Sequence, residues 1–160
     1  MAIHVRQVYR DEHGLVIEIA KALYPRWFNE LGLQEIARDL EAEHVLLALD
    51  AGKAVGFIIY CTDENRKTAE LSWIAVRPEL HRKGIGRALV NALEEILMQQ
   101  GFRALEVSTV APTVEYEPYA ATRSFYHSVG FSDAQIDKNY YGSGDDRLLM
   151  RKYVSQKVSW

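Results

Sequence analysis

The residues with the most chemical content are His81, Arg82, Lys83, Gly84, Ile85, Gly86 and Arg87, a basic turn punctuated by two glycines. It follows a strand-like run ending in Ile74, Ala75, Val76, Arg77 and Pro78, and it precedes a helix-like run from Ala88 to Gln100. Four Lys or Arg residues fall in the eleven positions from Arg77 to Arg87, in a chain whose formal net charge is −3. A helix N-terminus leaves its first backbone N–H groups without intrahelical partners and carries partial positive charge. Glycines there let an anion reach those donors without obstruction by Cβ atoms, so the turn reads as a site for a phosphate-bearing ligand. Short glycine motifs are weak signals, and the competing reading is a solvated, basic start to a helix.

The elements around the turn follow from periodicity. Ala88, Leu89, Ala92, Leu93, Ile96 and Leu97 recur at helical spacing, and Gly101 supplies the stop. Thr68 to Val76 and Ala104 to Thr109 read as strands, so residues 68–109 form one βαβ crossover with parallel strands. Upstream, a helix capped by Asp11 runs toward Leu23, and a second spans about Leu33 to Glu41. Tyr24, Pro25, Arg26, Trp27 and Phe28 make an aromatic connection between them. A hairpin follows, Val45–Leu49 and Ala54–Tyr60 around Asp50-Ala51-Gly52-Lys53. Downstream lie an odd segment from Val110 to Ala121, a short helix from about Thr122 to Val129, and Phe131 opening an extended run. Tyr140 to Asp146 reads as a hairpin turn before a last strand, Arg147 to Tyr153. The tail from Val154 to Trp160 has no strong pattern.

At 160 residues the chain suits one domain, 1–160, with one core. Hydrophobic residues at 48% and charged residues at 26% are ordinary for a soluble globular protein. No apolar stretch approaches about 18 residues and Met1–Arg10 lacks an apolar signal region, so a cytoplasmic protein with no membrane partner is expected. The single Cys61 has no Cys or His at ligand spacing, and His4, His13, His44 and His127 suggest no metal triad, so no metal is expected. A pI near 6.0 and one local basic turn do not make the broad basic stripe that nucleic acid needs. A small-molecule site is expected instead.

Three motifs stand in order: Ala69-Glu70-Leu71-Ser72-Trp73-Ile74-Ala75-Val76, then His81 to Leu89, then Phe125-Tyr126-His127-Ser128-Val129-Gly130-Phe131. Together they resemble the GNAT superfamily of acetyl-CoA-dependent N-acetyltransferases. The resemblance implies an α/β GNAT fold, a mixed central sheet of about six to seven strands, splayed at the cofactor strand and flanked by about four helices. It implies acetyl-CoA as acetyl donor. The family's pyrophosphate pattern, Gln or Arg, two residues, Gly, one residue, Gly or Ala, falls on His81, Gly84 and Gly86, with His81 a departure. Arg82, Lys83, Ile85 and Arg87 complete the turn, and main-chain groups of Ile74, Ala75 and Val76 are implied to bind the pantetheine arm as an added strand. Many members place an Asn seven residues before the tyrosine; here that position is Tyr119.

The same resemblance matches Tyr126 to the family's general acid, which returns a proton to the departing thiolate. Strand alternation puts Glu70 on the face of Ser72, Ile74 and Val76, and its spacing resembles that of the glutamate in lysine-acetylating members. Glu70 is thus the candidate base, directly or through water; the alternative is an exposed strand carboxylate. Glu115, Tyr116, Glu117 and Tyr119 offer charge and aromatic faces to a cationic amine, or else cover a sheet edge. Trp27 joins them as a candidate substrate contact, set against a core anchor. The expected partner is a small-molecule or peptide amine, and the resemblance makes a homodimer common, with only Trp160 in the tail to suggest one. Two other readings compete. A Rossmann dinucleotide site has Leu89 at its third glycine position, and a non-catalytic coenzyme A sensor would share the turn.

Overall fold

The structure is a computed structural model that describes residues 1–154. The tail 155–160, and with it the dimer suggestion from Trp160, lies outside the described residues. Among the described residues there are seven strands and four α-helices: β1 (Ile3–Gln7), α1 (His13–Ala22), α2 (Glu30–Ala42), β2 (His44–Asp50), β3 (Lys53–Asp63), β4 (Thr68–Val76), α3 (Ile85–Gln99), β5 (Ala104–Val110), α4 (Glu117–Ser128), β6 (Ser132–Gly142) and β7 (Asp145–Tyr153). The strand order is β1-β2-β3-β4-β5-β7-β6. The βαβ expectation holds: β4 and β5 are parallel, with Thr68–Leu71 paired to Ala104–Val107. No helix among the described residues is long and apolar enough to cross a membrane.

By internal contacts the chain divides into two units, Met1–Cys61 with Ser72–Ile96, and Thr62–Leu71 with the residues from Leu97 on. In the first, β2 and β3 bury consecutive residues on both faces, as strands with helices on either side do. Val45, Leu47, Leu49, Phe57 and Ile59 join Val16 and Ile19 of α1, Leu23 just beyond its end, and Ile36 and Leu40 of α2 in one cluster. Each such side chain contributes about 1.5–3 kcal/mol by leaving water. On β3, Gly56 faces Ile85 and Leu89 of α3, and a Cβ there would lie 2.8 Å from the backbone oxygen of Ala75. Only glycine lets β3, the end of β4 and the start of α3 meet so closely.

Asp11 is not the cap expected for the first helix. A 3-10 turn, Arg10–Glu12, precedes α1, and Glu12 receives two 2.8 Å hydrogen bonds from Arg6 and one of 2.8 Å from the Tyr9 amide. The Arg6 guanidinium first, and the Tyr9 N–H second, bring the Glu12 pKa down to about 2. A carboxyl depressed in the folded state stabilises the fold above the ordinary carboxylate range and loses that contribution as pH falls toward 2. Glu12→Gln should therefore lower the unfolding midpoint at pH 7 and flatten its decline between about pH 5 and 2, read by thermal melts across pH. Partial exposure of both side chains to water keeps the effect small.

Other boundaries also differ from expectation. Helix α2 starts at Glu30 because the Asn29 side chain accepts the Gly32 N–H at 2.8 Å. Helix α4 starts at Glu117, not Thr122, since a proline in the first turn needs no N–H; Pro118 ends no helix there. Strand β1 was not expected, being five residues long and paired only with β2. Tyr140 and Tyr141 belong to β6 rather than to a turn, because aromatic residues suit a pleated surface and Ser143-Gly144 suffice to reverse the chain.

Candidate active site

In the first unit, β4 and the basic turn form one continuous piece. Arg77 N–H donates to Val55 O of β3 at 2.9 Å, so by strand alternation the main-chain groups of Ile74 and Val76 point to the other edge of β4. The Val76 carbonyl is engaged: His81 Nε2 lies 2.9 Å away, and since a carbonyl only accepts, Nε2 carries the proton. Here the departure from the family pattern at His81 acquires a side-chain role, which the sequence reading did not assign. Arg82 at φ 64° and Gly84 at φ 86° then reverse the chain. Space around a Cβ at Gly84 is open, so its backbone conformation, rather than crowding, calls for glycine there.

Ala88 N–H donates to Gly84 O at 3.0 Å, so Gly84 opens α3, and a helix start points its first amides outward along the axis. Arg82, Lys83 and Arg87 are exposed and Gly86 half-buried. These features fit a pyrophosphate: oriented amides, an open Gly84 and three cations. Ile85 is buried to 1% exposure and Ala75 to 5%, so their side chains anchor the core, and the same alternation turns the main chain of Ala75 toward β3, away from the edge that Ile74 and Val76 present. Trp27, from the connection between α1 and α2, packs edge-on against His81, with ring centroids 5.3 Å apart and planes at 79°.

The second unit carries the two candidate proton-transfer groups. Tyr126, on α4, is 5% exposed, and its ring packs on Phe125 and Phe131, each at 5.5 Å. Burial, and then the neighbouring Tyr141 phenol, push its pKa well above the ordinary phenol range, so it holds its proton at neutral pH. Partial burial pushes Tyr141, still 48% exposed, up to about 12; Arg147 opposes, while Tyr140 and Glu70 add to the rise. Tyr141 therefore lies within electrostatic reach of both Tyr126 and the exposed Glu70. Reading the Tyr140-Tyr141 pair as a turn hid this residue; its signal was two aromatics before a Gly-Ser-Gly reversal.

In register, Glu70 on β4 pairs with Glu106 on β5. Glu106 is buried and takes two hydrogen bonds from Arg151, at 3.0 and 2.7 Å, with Arg66 at 3.3 Å on its other oxygen. Two cations thus hold one of the two adjacent carboxylates. Asp146, 8% exposed, accepts the Thr113 hydroxyl and the Asn139 N–H, each at 2.8 Å, tying the segment before α4 to the β6–β7 hairpin. Glu115 and Tyr116 are exposed just before α4; Glu117 and Tyr119 are in its first turn, and the rings of Tyr116 and Tyr119 meet edge-on at 4.8 Å. Among the described residues no group of three or more His, Cys, Asp and Glu is placed to hold a metal ion.

A parallel β4–β5 pair bridged by α3, a glycine-bearing basic turn ahead of that helix, and a buried tyrosine near the end of α4 define the class of protein. The chain belongs to the acetyltransferase (GNAT) family, whose model matches residues 9–131. It is 36% identical over 96 residues to the [ribosomal protein bS18]-alanine N-acetyltransferase of Escherichia coli K12, an alignment spanning 60% of this chain and 60% of that relative. A GNAT-family crystal structure from Desulfovibrio desulfuricans matches 96% of this chain and all of its own, with a TM-score of 0.85 and 25% identity. The PaiA N-acetyltransferase of Thermoplasma acidophilum, solved with coenzyme A, shares the fold at a TM-score of 0.75 and 21% identity, over 96% and 99% of the chains.

Proposed function

We propose that this chain acetylates the α-amino group of a protein or peptide, with acetyl-CoA as donor. The observation that carries the reading is the side-chain set in the second unit: exposed Glu70 and buried Tyr126, both within electrostatic reach of Tyr141. Acetyl-CoA supplies a thioester carbonyl that an amine attacks, with coenzyme A leaving as the thiolate. The start of α3 and the cations of Arg82, Lys83 and Arg87 hold its pyrophosphate, and the main chain of Ile74 and Val76 holds the pantetheine arm by strand-like hydrogen bonds, Ala75 facing β3 instead.

Glu70 takes the proton that the ammonium must lose, directly or through one water. That step favours an α-amine. A carboxylate of reference pKa about 4.3 faces an α-ammonium at about 7.7–8.0 but a lysine ammonium at about 10.4, a difference of about 2.5 pH units in driving force. The likeness to the bS18-alanine enzyme points the same way. Glu115, Tyr116, Glu117 and Tyr119 draw the cationic amine by Coulomb and cation–π attraction. Tyr126 keeps its proton on Oη and donates to the sulfur.

The test is thiol release from acetyl-CoA with a panel of acceptors. Peptides beginning with a free alanine amine should turn over, and the same peptides acetylated at the N-terminus but carrying a lysine should be at least about tenfold slower in kcat/KM. Preference for lysine, polyamine or aminoglycoside would overturn the acceptor assignment. Binding of coenzyme A with no thiol release for any amine would establish the sensor reading instead.

A further inference from the structure

An indole in a connection between helices needs a partner for its apolar surface, and Trp27 finds one in His81. The connection itself is firmly seated: the Trp27 backbone N–H donates to Leu23 O at 2.9 Å, and the next residue, Phe28, packs edge-on to Trp73 of β4 at 5.7 Å. Trp73 in turn donates its indole N–H to Asp39 of α2 at 2.9 Å. Two consecutive aromatic residues thus touch the strand and the turn that follows it, Phe28 at Trp73 and Trp27 at His81. His81 is fixed at three points, through its ring on Trp27, its Nε2–H on Val76 O at 2.9 Å and its backbone N–H on Pro78 O at 3.3 Å.

The residue after His81 is Arg82, a non-glycine held at φ 64°. A side chain in the left-handed region stays there only when its surroundings fix the flanking backbone, and His81 is the anchored flank. We propose that Trp27 and His81 form a positioning pair that holds the phosphate-facing turn against the end of β4, so that the connection between α1 and α2 sets the affinity for the acetyl donor. Neither side chain needs to touch the reacting atoms. Its effect falls on the amides of the turn, whose directions decide how well they meet two phosphates. The inference rests on the acetyl-CoA reading above.

Titration calorimetry with coenzyme A and steady-state kinetics with an alanine-led peptide test it together. Trp27→Ala and His81→Ala should each raise the Kd for coenzyme A about tenfold, the double variant should be no weaker than the worse single, and the kinetic loss should appear in KM for acetyl-CoA rather than in kcat. Trp27→Phe, which keeps an aromatic face, and His81→Gln, which keeps an N–H for Val76 O, should recover most of the affinity. Should Trp27→Ala not fold, His81→Ala and Trp27→Phe carry the test. Unchanged Kd values, additive losses or a loss confined to kcat would overturn the pair while leaving the donor assignment intact. A wild-type protein that does not bind coenzyme A would overturn both.

Discussion

Tyr126→Phe should lower kcat by about 10²–10⁴-fold while the Kd for coenzyme A stays within about twofold. The change deletes one hydroxyl and keeps the ring that packs on Phe125 and Phe131, so the fold should be preserved. Burial and Tyr141 raise the phenol's pKa, which sets the form of the effect. A phenol is already a weaker acid than a thiol of reference pKa about 8.5, and raising its pKa widens the gap. In the proposed role Tyr126 would therefore donate a hydrogen bond as negative charge develops on sulfur, rather than give up its proton early. Because the folded pKa is raised, the donor form persists through the ordinary phenol range, and the wild-type rate should show no decline from Tyr126 near about pH 10. Retention of full kcat in a folded Tyr126→Phe that binds coenzyme A would remove the assignment.

The second large effect concerns two adjacent carboxylates. Glu70→Gln should cut kcat/KM by about 10²-fold at pH 7, with part of the rate returning as pH rises and the amine loses its proton without help. Glu106→Gln should behave differently. Its carboxylate is committed to Arg151 and Arg66, so the substitution should cost about 2–3 kcal/mol of stability by leaving Arg151 less well paired, with kcat/KM of the folded fraction nearly unchanged. Thermal melts and pH–rate profiles of both variants separate these effects. If Glu106→Gln abolishes turnover and Glu70→Gln does not, the base is Glu106.

The parts of the molecule legible in sequence are those whose signals are local. Strand β4 was expected at Thr68 to Val76 and is found there, because Ala69, Leu71 and Ala75 alternate with less buried neighbours and Arg77-Pro78 close it. The long helix and its Gly101 stop were equally plain, since Leu89, Leu93 and Leu97 repeat at helical spacing. Misread segments are those where one residue carries two meanings. Pro118 lies in the segment expected to precede the helix and serves as a first-turn residue; Tyr140 and Tyr141 read with the glycines after them but belong to the strand before them. Relations that need the folded chain were not legible at all. No spacing announces that Tyr141 stands near Glu70 and Tyr126, that Glu106 lies beside Glu70 in register, or that Trp27 meets His81.

Asp146 has a bearing on how the segments proposed to meet the acceptor could vary. One buried carboxylate holds the Thr113 hydroxyl, in the segment leading to Glu115 and Tyr116, and the Asn139 amide, immediately before Tyr140 and Tyr141. Insertions in either segment would pull on the same two oxygen atoms. The two stretches are therefore not independent modules for evolution to swap: a lineage that lengthens one must re-fit the other, or give up the carboxylate that joins them.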